Sequence, residues 1–240
     1  MPHPASSASY QIHHYPATLI DTRAQGRPGR LTLRPVLPQD EPLLGALVAR
    51  LSPEARRNRF HGAVKLSPSR LKLMTCVDYR SHLAVVISTF VDGVESLVAD
   101  ARYVVQADGL AAEFALMVDE AWQRQGIGTW ALCSLHRAAA QAGVQHLHGD
   151  VLEGNAPMLA LVQRCGYAIS PTGDEAGVLC ARLNVESGGE HEDTPSPAPT
   201  RRGLQRWWPR HWPGALPAAA WAAACTFTHA QNHPHPETTP

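Results

Sequence analysis

The chain has 240 residues, with 21 Lys and Arg against 21 Asp and Glu, and 44% of it is hydrophobic. That length supports one sizeable core with a small appendage, and the balanced charge excludes a global field that would gather nucleic acid or an anionic membrane. Cys76, Cys133, Cys165, Cys180 and Cys225 are scattered and form no CxxC pair, which argues against a disulfide framework or a structural zinc site and for a reducing, cytoplasmic setting.

Residues 1–29 mix Pro, Ser, His and Gly and close on Gly26-Arg27-Pro28-Gly29, which predicts a flexible leader without a secretory signal. Leu31–Val36 alternates as a first strand. Asp40 leads into a helix with Leu43, Leu44, Leu47, Val48 and Leu51 on one face. Ser52-Pro53 opens a second helix, made basic by Arg56, Arg57 and Arg59, which reads either as a solvated face or as a lip of a substrate site; Ser67-Pro68 opens a third. His82–Phe90, Ser96–Val105 and Ala111–Val118 are separated by Asp92-Gly93 and Asp108-Gly109, so three antiparallel strands are expected.

After a polar turn at Gln123–Gly128 a long amphipathic helix runs to Ala142, with Gly143 as its cap. A strand at His146–Val151, a helix at Asn155–Arg164 and strands at Tyr167–Ile169 and Val178–Leu183 complete an α/β domain over residues 30–186. Residues 187–240 are linker-like and then rich in Pro, Ala, His and Trp, which predicts disorder; the longest apolar run there, Ala215–Phe227, is too short and proline-interrupted to span a bilayer. The histidines, including His146 and His148, meet no carboxylate or cysteine at ligand spacing, so no metal site is expected.

The turn carries the chemistry. The first N–H groups of a helix lack intrahelical partners, the helix dipole adds positive charge there, and glycine lets backbone approach a bulky anion. Gln123-Arg124-Gln125-Gly126-Ile127-Gly128 joining a strand to a helix therefore predicts a pyrophosphate site. A P-loop requires Lys-Ser/Thr where this chain has Thr129-Trp130, and a dinucleotide fingerprint requires a third glycine that is missing.

These residues resemble the GCN5-related N-acetyltransferases, whose acetyl-CoA motif has the form Gln/Arg-x-x-Gly-x-Gly/Ala between a strand and a helix; Gln123, Gly126 and Gly128 match it. A second segment, from Asn155 to Arg164-Cys165-Gly166-Tyr167, is similar to the family's other cofactor-side motif. The resemblance implies a mixed, mostly antiparallel sheet flanked by helices. It also implies acetyl-CoA as co-substrate, held by the turn from Gln123 to Thr129, by Asn155 on the pantetheine arm and by backbone N–H groups of Met117 and Val118. Where many family members carry a tyrosine acid, seven residues beyond the asparagine, this chain has Val162, and Tyr167 reads as a core residue.

Freeing a lysine amine of pKa about 10.4 at pH 7 costs roughly 4.6 kcal/mol, so a base is required. Glu113 is the candidate, because strand alternation sets it among Ala111, Ala115 and Met117, where burial would raise its pKa. Asp119 and Glu120 read as solvent-facing acids of the turn. Leu51-Ser52-Pro53-Glu54, Arg59-Phe60 and Ala112–Ala115 further resemble bacterial protein-lysine acetyltransferases, which implies a protein lysine as acceptor, on acyl-CoA synthetases for example. A small-molecule amine acetyltransferase and a non-catalytic acyl-CoA sensor are the alternatives; no nucleic-acid partner is expected, and the oligomeric state is left open.

Overall fold

The computed structural model describes residues 14–24, 30–62, 66–172 and 176–185. Strands β1 (Asp21–Ala24), β2 (Arg30–Pro35), β3 (His82–Val91), β4 (Val94–Val105), β5 (Ala111–Val118), β6 (His146–Leu152), β7 (Ala168–Pro171) and β8 (Val178–Asn184) form one sheet. Its order is β1-β2-β3-β4-β5-β6-β8-β7, so the last strand inserts beside β6. The helices are α1 (Glu41–Arg50), α2 (Pro53–Phe60), α3 (Pro68–Thr75), α4 (Ile127–Gln141) and α5 (Ala156–Arg164).

Two parts of the sequence reading change. The leader does not extend to residue 29: β1 pairs with β2, the Tyr15 hydroxyl donates to the Pro35 carbonyl at 3.1 Å, and the Trp130 indole donates to Asp21 at 2.9 Å. Four residues without hydrophobic alternation become a strand because an edge of β2 is there to pair with, a tertiary cause invisible to local pattern. The long helix begins at Ile127, so Gly126 is its N-cap and Gly128 lies inside its first turn. The expected tail at residues 187–240 lies outside the described residues.

The core forms where alternating strands meet helix faces: Leu33, Leu44, Leu47, Val86, Leu97, Leu132, Leu135 and Leu147 are fully buried. The two helical openings read from Ser-Pro pairs are real caps, since the Ser52 and Ser67 hydroxyls accept from the N–H groups of Ala55 and Arg70. On β5, the Phe114 ring lies 4.9 Å from that of Tyr167, whose hydroxyl shares a 2.8 Å hydrogen bond with His136 of α4. Even-numbered β5 side chains therefore face α4, and Glu113 faces the opposite side of the sheet, toward α2.

Among the described residues, β5 and β6 are the parallel pair, and their ladder covers only Ala111–Glu113 with His146–His148. Beyond it each strand stays with its other neighbour: β5 pairs with β4 to Val118, and β6 pairs with β8 to Leu152. Two twisted hydrogen-bonded blocks thus diverge as a fork. Gly149 sits where it opens, and a Cβ there would lie 2.8 Å from both the Phe114 carbonyl oxygen and its ring. Gly149→Ala is expected to destabilise the fold by about 1–3 kcal/mol, measured by urea denaturation. Gly154→Ala, where nothing lies within 4 Å, is the control expected to change little.

Candidate active site

The fork opens into a cleft of about 1690 Å³ bounded by α2, α3, β4, β5, β6, α5 and the turn before α4. Drug-sized ligand pockets measure roughly 300–1,000 Å³, so this space suits two molecules side by side. Glu113, Met117, Val118, Gln123, Arg124, Gly126, Gly128, Thr129 and Asn155 all line it, which brings most of the residues singled out in the sequence to one place. Gln125 and Ile127 do not line it: the Gln125 amide donates to the Ala121 carbonyl at 3.3 Å, and Ile127 is a core side chain.

At the turn, Arg124 and Gly126 both take left-handed backbone conformations, with φ of 63° and 81°. No side chain caps Gly126, and space is open where its Cβ would be. The Gln123 amide donates to the Val118 carbonyl at 3.0 Å, tying the turn to the end of β5. Gly126, Gly128 and Thr129 thus bring the uncapped start of a fifteen-residue helix to the cleft. Gly128 packs closely on α5, since a Cβ there would meet the end of the Leu161 side chain at 2.8 Å and make it shift. Asn155 caps α5 by accepting from the Met158 N–H at 3.3 Å.

One expected backbone contact moves. Gln106 donates to the Ala111 carbonyl and Asp119 donates to the Val98 carbonyl, with unbroken register between. Backbone groups alternate sides along a strand, so those of the odd-numbered residues, Met117 included, point to β4. Leu116 and Val118 are the residues whose N–H groups face the fork. Sequence alternation located the strand but carried no information about which edge would be left open.

One acid of the turn also differs from expectation. Asp119 is buried, accepting from the Arg50 guanidinium at 2.9 Å and from the Ala121 N–H at 3.1 Å. Glu120 accepts from the Ser52 N–H at 2.9 Å. Asp119 fastens the turn to α1, while Glu120 is exposed, as expected, and also ties the turn to the start of α2.

Glu113 sits on the last rung of the fork, in register with His148, so Asp150 comes next along β6 on the same face. Burial, and then the Asp150 charge, push the Glu113 carboxyl up to about 8, with Arg59 pulling the other way. Behind it Asp100 and Arg102 form a fully buried ion pair, with Arg59 of α2 at 4.0 Å from Asp100. Arg102 also donates to the Met74 carbonyl and lies 3.3 Å from His82, whose imidazole burial and then the Arg102 charge depress to about 3. Sequence reasoning passed over Asp150 and this pair. The signal was present for the pair, because Asp100 and Arg102 stand two apart in a β-branched run and so share a face.

Val162 is fully buried, and the Tyr167 hydroxyl is occupied by His136 deep in the core. Neither supplies an acid to the cleft. No helix among the described residues is long and apolar enough to cross a membrane.

Residues 43–167 match the family model described as Acetyltransferase (GNAT) family. Over 155 residues the chain is 34% identical to Acetyltransferase Pat of Mycolicibacterium smegmatis, a match covering 64% of this chain and 45% of that protein. It is 24% identical over 177 residues to an acetyltransferase of Pseudomonas aeruginosa, covering 73% of this chain and 92% of the relative. Among solved structures, the GNAT domain of S. lividans PAT has the same fold, with a TM-score of 0.63 at 23% identity over 71% of this chain and 99% of that one. The chain thus spans less than half the length of the M. smegmatis relative.

Proposed function

The chain belongs to the GNAT acetyltransferase family, and we propose that within it this enzyme moves an acetyl group from acetyl-CoA to the side-chain amine of a protein lysine. One observation carries the reading: one cleft joins the uncapped start of α4 to Glu113, at the fork of β5 and β6. The relatives named for acetyltransferase activity support the reaction class, and the resemblance of Leu51–Glu54, Arg59-Phe60 and Ala112–Ala115 to bacterial protein-lysine acetyltransferases supports the choice of a protein acceptor.

The residues suit an acyl-CoA donor. The N–H groups of Gly128 and Thr129, with Arg124 beside them, would hold the pyrophosphate. Asn155 and the Leu116 and Val118 N–H groups would hold the pantetheine arm and the acyl carbonyl, whose developing negative charge an N–H donor stabilises. When bound, acetyl-CoA supplies an activated carbonyl whose C–S bond breaks as the acceptor's N–C bond forms.

Glu113 accepts the amine proton, directly or through water. Its raised pKa makes it a strong enough base for that task while burial keeps it apart from bulk water. The thiolate leaves as the thiol of coenzyme A, protonated by solvent, since neither Val162 nor Tyr167 can act as the acid. Asp100 and Arg102 hold the floor behind Glu113 in place.

Thiol release from acetyl-CoA, measured with a panel of proteins and of small amines and followed by mass spectrometry of the products, tests the reading. Acetyl-lysine on protein is the expected result; turnover confined to free amines would move the enzyme to the small-molecule class. Asp150→Asn supplies a finer test, because it removes a charge that raises the Glu113 pKa. The pH limb of kcat/KM near 8 should shift to lower pH, and an unmoved limb would show that Asp150 does not act on Glu113.

A further inference from the structure

Building on the reading of Glu113 as the base, we infer that Arg59 is its positioning residue: the buried guanidinium that α2 sets over the sheet holds the Glu113 carboxylate ready for the acceptor's proton. The β4–β5 register supplies the geometry. Glu113, Ala115 and Met117 stand opposite Val104, Arg102 and Asp100, and directly opposed residues share one face of a sheet. The base therefore shares its face with the Asp100–Arg102 ion pair, and Arg102 lies two residues along β4 from Val104, the partner of Glu113. Arg59 reaches that face from the last turn of α2, the helix packed against β5. It is buried, stands 4.0 Å from Asp100 and lines the cleft together with Glu113.

The charges around the base give this second guanidinium its use. Both Asp100 oxygens accept from Arg102, so that carboxylate is matched by a cation before Arg59 is counted. Asp150 follows His148, the β6 partner of Glu113, on the same face and lines the cleft as well. Among the described residues, Asp100, Glu113 and Asp150 thus meet the guanidiniums of Arg59 and Arg102, with Arg102 committed to Asp100. Neighbouring carboxylates resist ionising together, and an opposite charge offsets that resistance. Arg59 acts on Glu113 in this sense, against burial and Asp150.

The other groups facing Glu113 do not replace it. His82 of β3 and His148 of β6 are held neutral by burial, with pKa values of about 3 and about 4. Cys180 of β8 stands opposite Asp150 as a thiol that burial keeps protonated, and Arg182, opposite His148, lies one strand further out with its Nε 3.3 Å from the Cys180 sulfur. Glu54 and His61 beside α2, Arg70 of α3 and Glu120 of the turn line the cleft at exposed positions, where solvent screens them. Without Arg59, Glu113 would keep its proton at neutral pH and leave the acceptor an ammonium ion, with no lone pair for the thioester carbonyl. After transfer, the same positive charge helps Glu113 release the proton to solvent.

Arg59→Met, Arg59→Lys, Glu113→Gln and the Arg59→Met/Glu113→Gln double variant test this through thiol release from acetyl-CoA, with a lysine peptide and spermidine as acceptors, across the pH range around the Glu113 limb. In Arg59→Met the rising limb of kcat/KM should move upward from about 8, opposite to Asp150→Asn. A limb one pH unit higher means about a tenfold loss near pH 7, and the loss should shrink as pH rises through the new limb. Arg59→Lys keeps the charge and should keep the limb near 8. In the Glu113→Gln background Arg59→Met should cost nothing further, because its target is gone. Melting curves check the fold, and where Arg59→Met does not fold, Arg59→Gln, which keeps an amide donor for Asp100, carries the same expectation. A loss equal at every pH, or one undiminished in the Glu113→Gln background, would overturn the inference and leave Arg59 as a packing partner of Asp100. A limb that Glu113→Gln removes but Arg59→Met leaves in place would overturn the role of Arg59 alone, whereas a limb that survives Glu113→Gln would overturn the base reading as well.

Discussion

Glu113→Gln is expected to slow acetyl transfer by about 10²- to 10⁴-fold at pH 8, the range typical of a lost general base, while coenzyme A affinity stays unchanged. Gln keeps the shape of Glu but cannot take the amine proton. In the parent enzyme kcat/KM should rise through a limb near pH 8, where Glu113 ionises. The variant should lose that limb, leaving only the dependence of the acceptor amine itself. An unchanged rate with the limb still present would remove Glu113 from the mechanism.

The same residue makes a prediction about stability, with a definite sign. The fold raises the Glu113 carboxyl from 4.5 to about 8, so the folded chain holds this proton more tightly than the unfolded chain does. The resulting stabilisation is complete below 4.5 and is lost as pH rises through 8. Glu113→Gln has no charge to bury. Its stability relative to the parent should therefore improve from about pH 5 to about pH 8 and then level off, and urea midpoints at several pH values would measure it. Parallel curves for the two proteins would show that the site does not perturb the carboxyl.

Gly126→Val is expected to weaken coenzyme A binding by about 10- to 100-fold, equivalent to one or two charge-assisted hydrogen bonds. A side chain at this position faces no protein atom within 4 Å, so the core need not rearrange. The backbone is the obstacle, because φ is 81° and a β-branched residue resists the left-handed region. Relaxing it would turn the N–H groups at the start of α4 away from the cleft, and the isopropyl group would occupy the space beside them. Calorimetric titration with coenzyme A measures the loss. Affinity unchanged in a variant with a normal melting curve would show that the pyrophosphate is held elsewhere.

Much of this site was legible in the chain itself. Strand and helix boundaries from Arg30 to Asn184 follow from alternation and from caps at Ser52, Ser67 and Asn155, because these depend on neighbours within a few residues. The glycine turn was legible for the same reason: a strand, two closely spaced glycines and a helix are local features, and the positive φ of Gly126 suits such spacing. Glu113 could be chosen because one carboxylate on an apolar strand is conspicuous wherever the strand lies.

The remainder was settled by partners distant in sequence. β1 exists because β2 offers an edge, and no periodicity in Asp21–Ala24 announces it. Asp119 looks like a solvent acid until Arg50, 69 residues earlier, is found against it. The exchange of Met117 for Leu116 depends on which edge of β5 is left unpaired, and that follows from where β6 departs at Gly149. Alternation and turn spacing are short-range properties of the chain, so the sequence by itself determined the elements, the glycine turn and the candidate base. Hydrogen-bond edges, buried charge pairs and the pKa of Glu113 arise from groups that meet only on folding, so the tertiary structure alone decided the open fork and the partnership of Glu113 with Asp150.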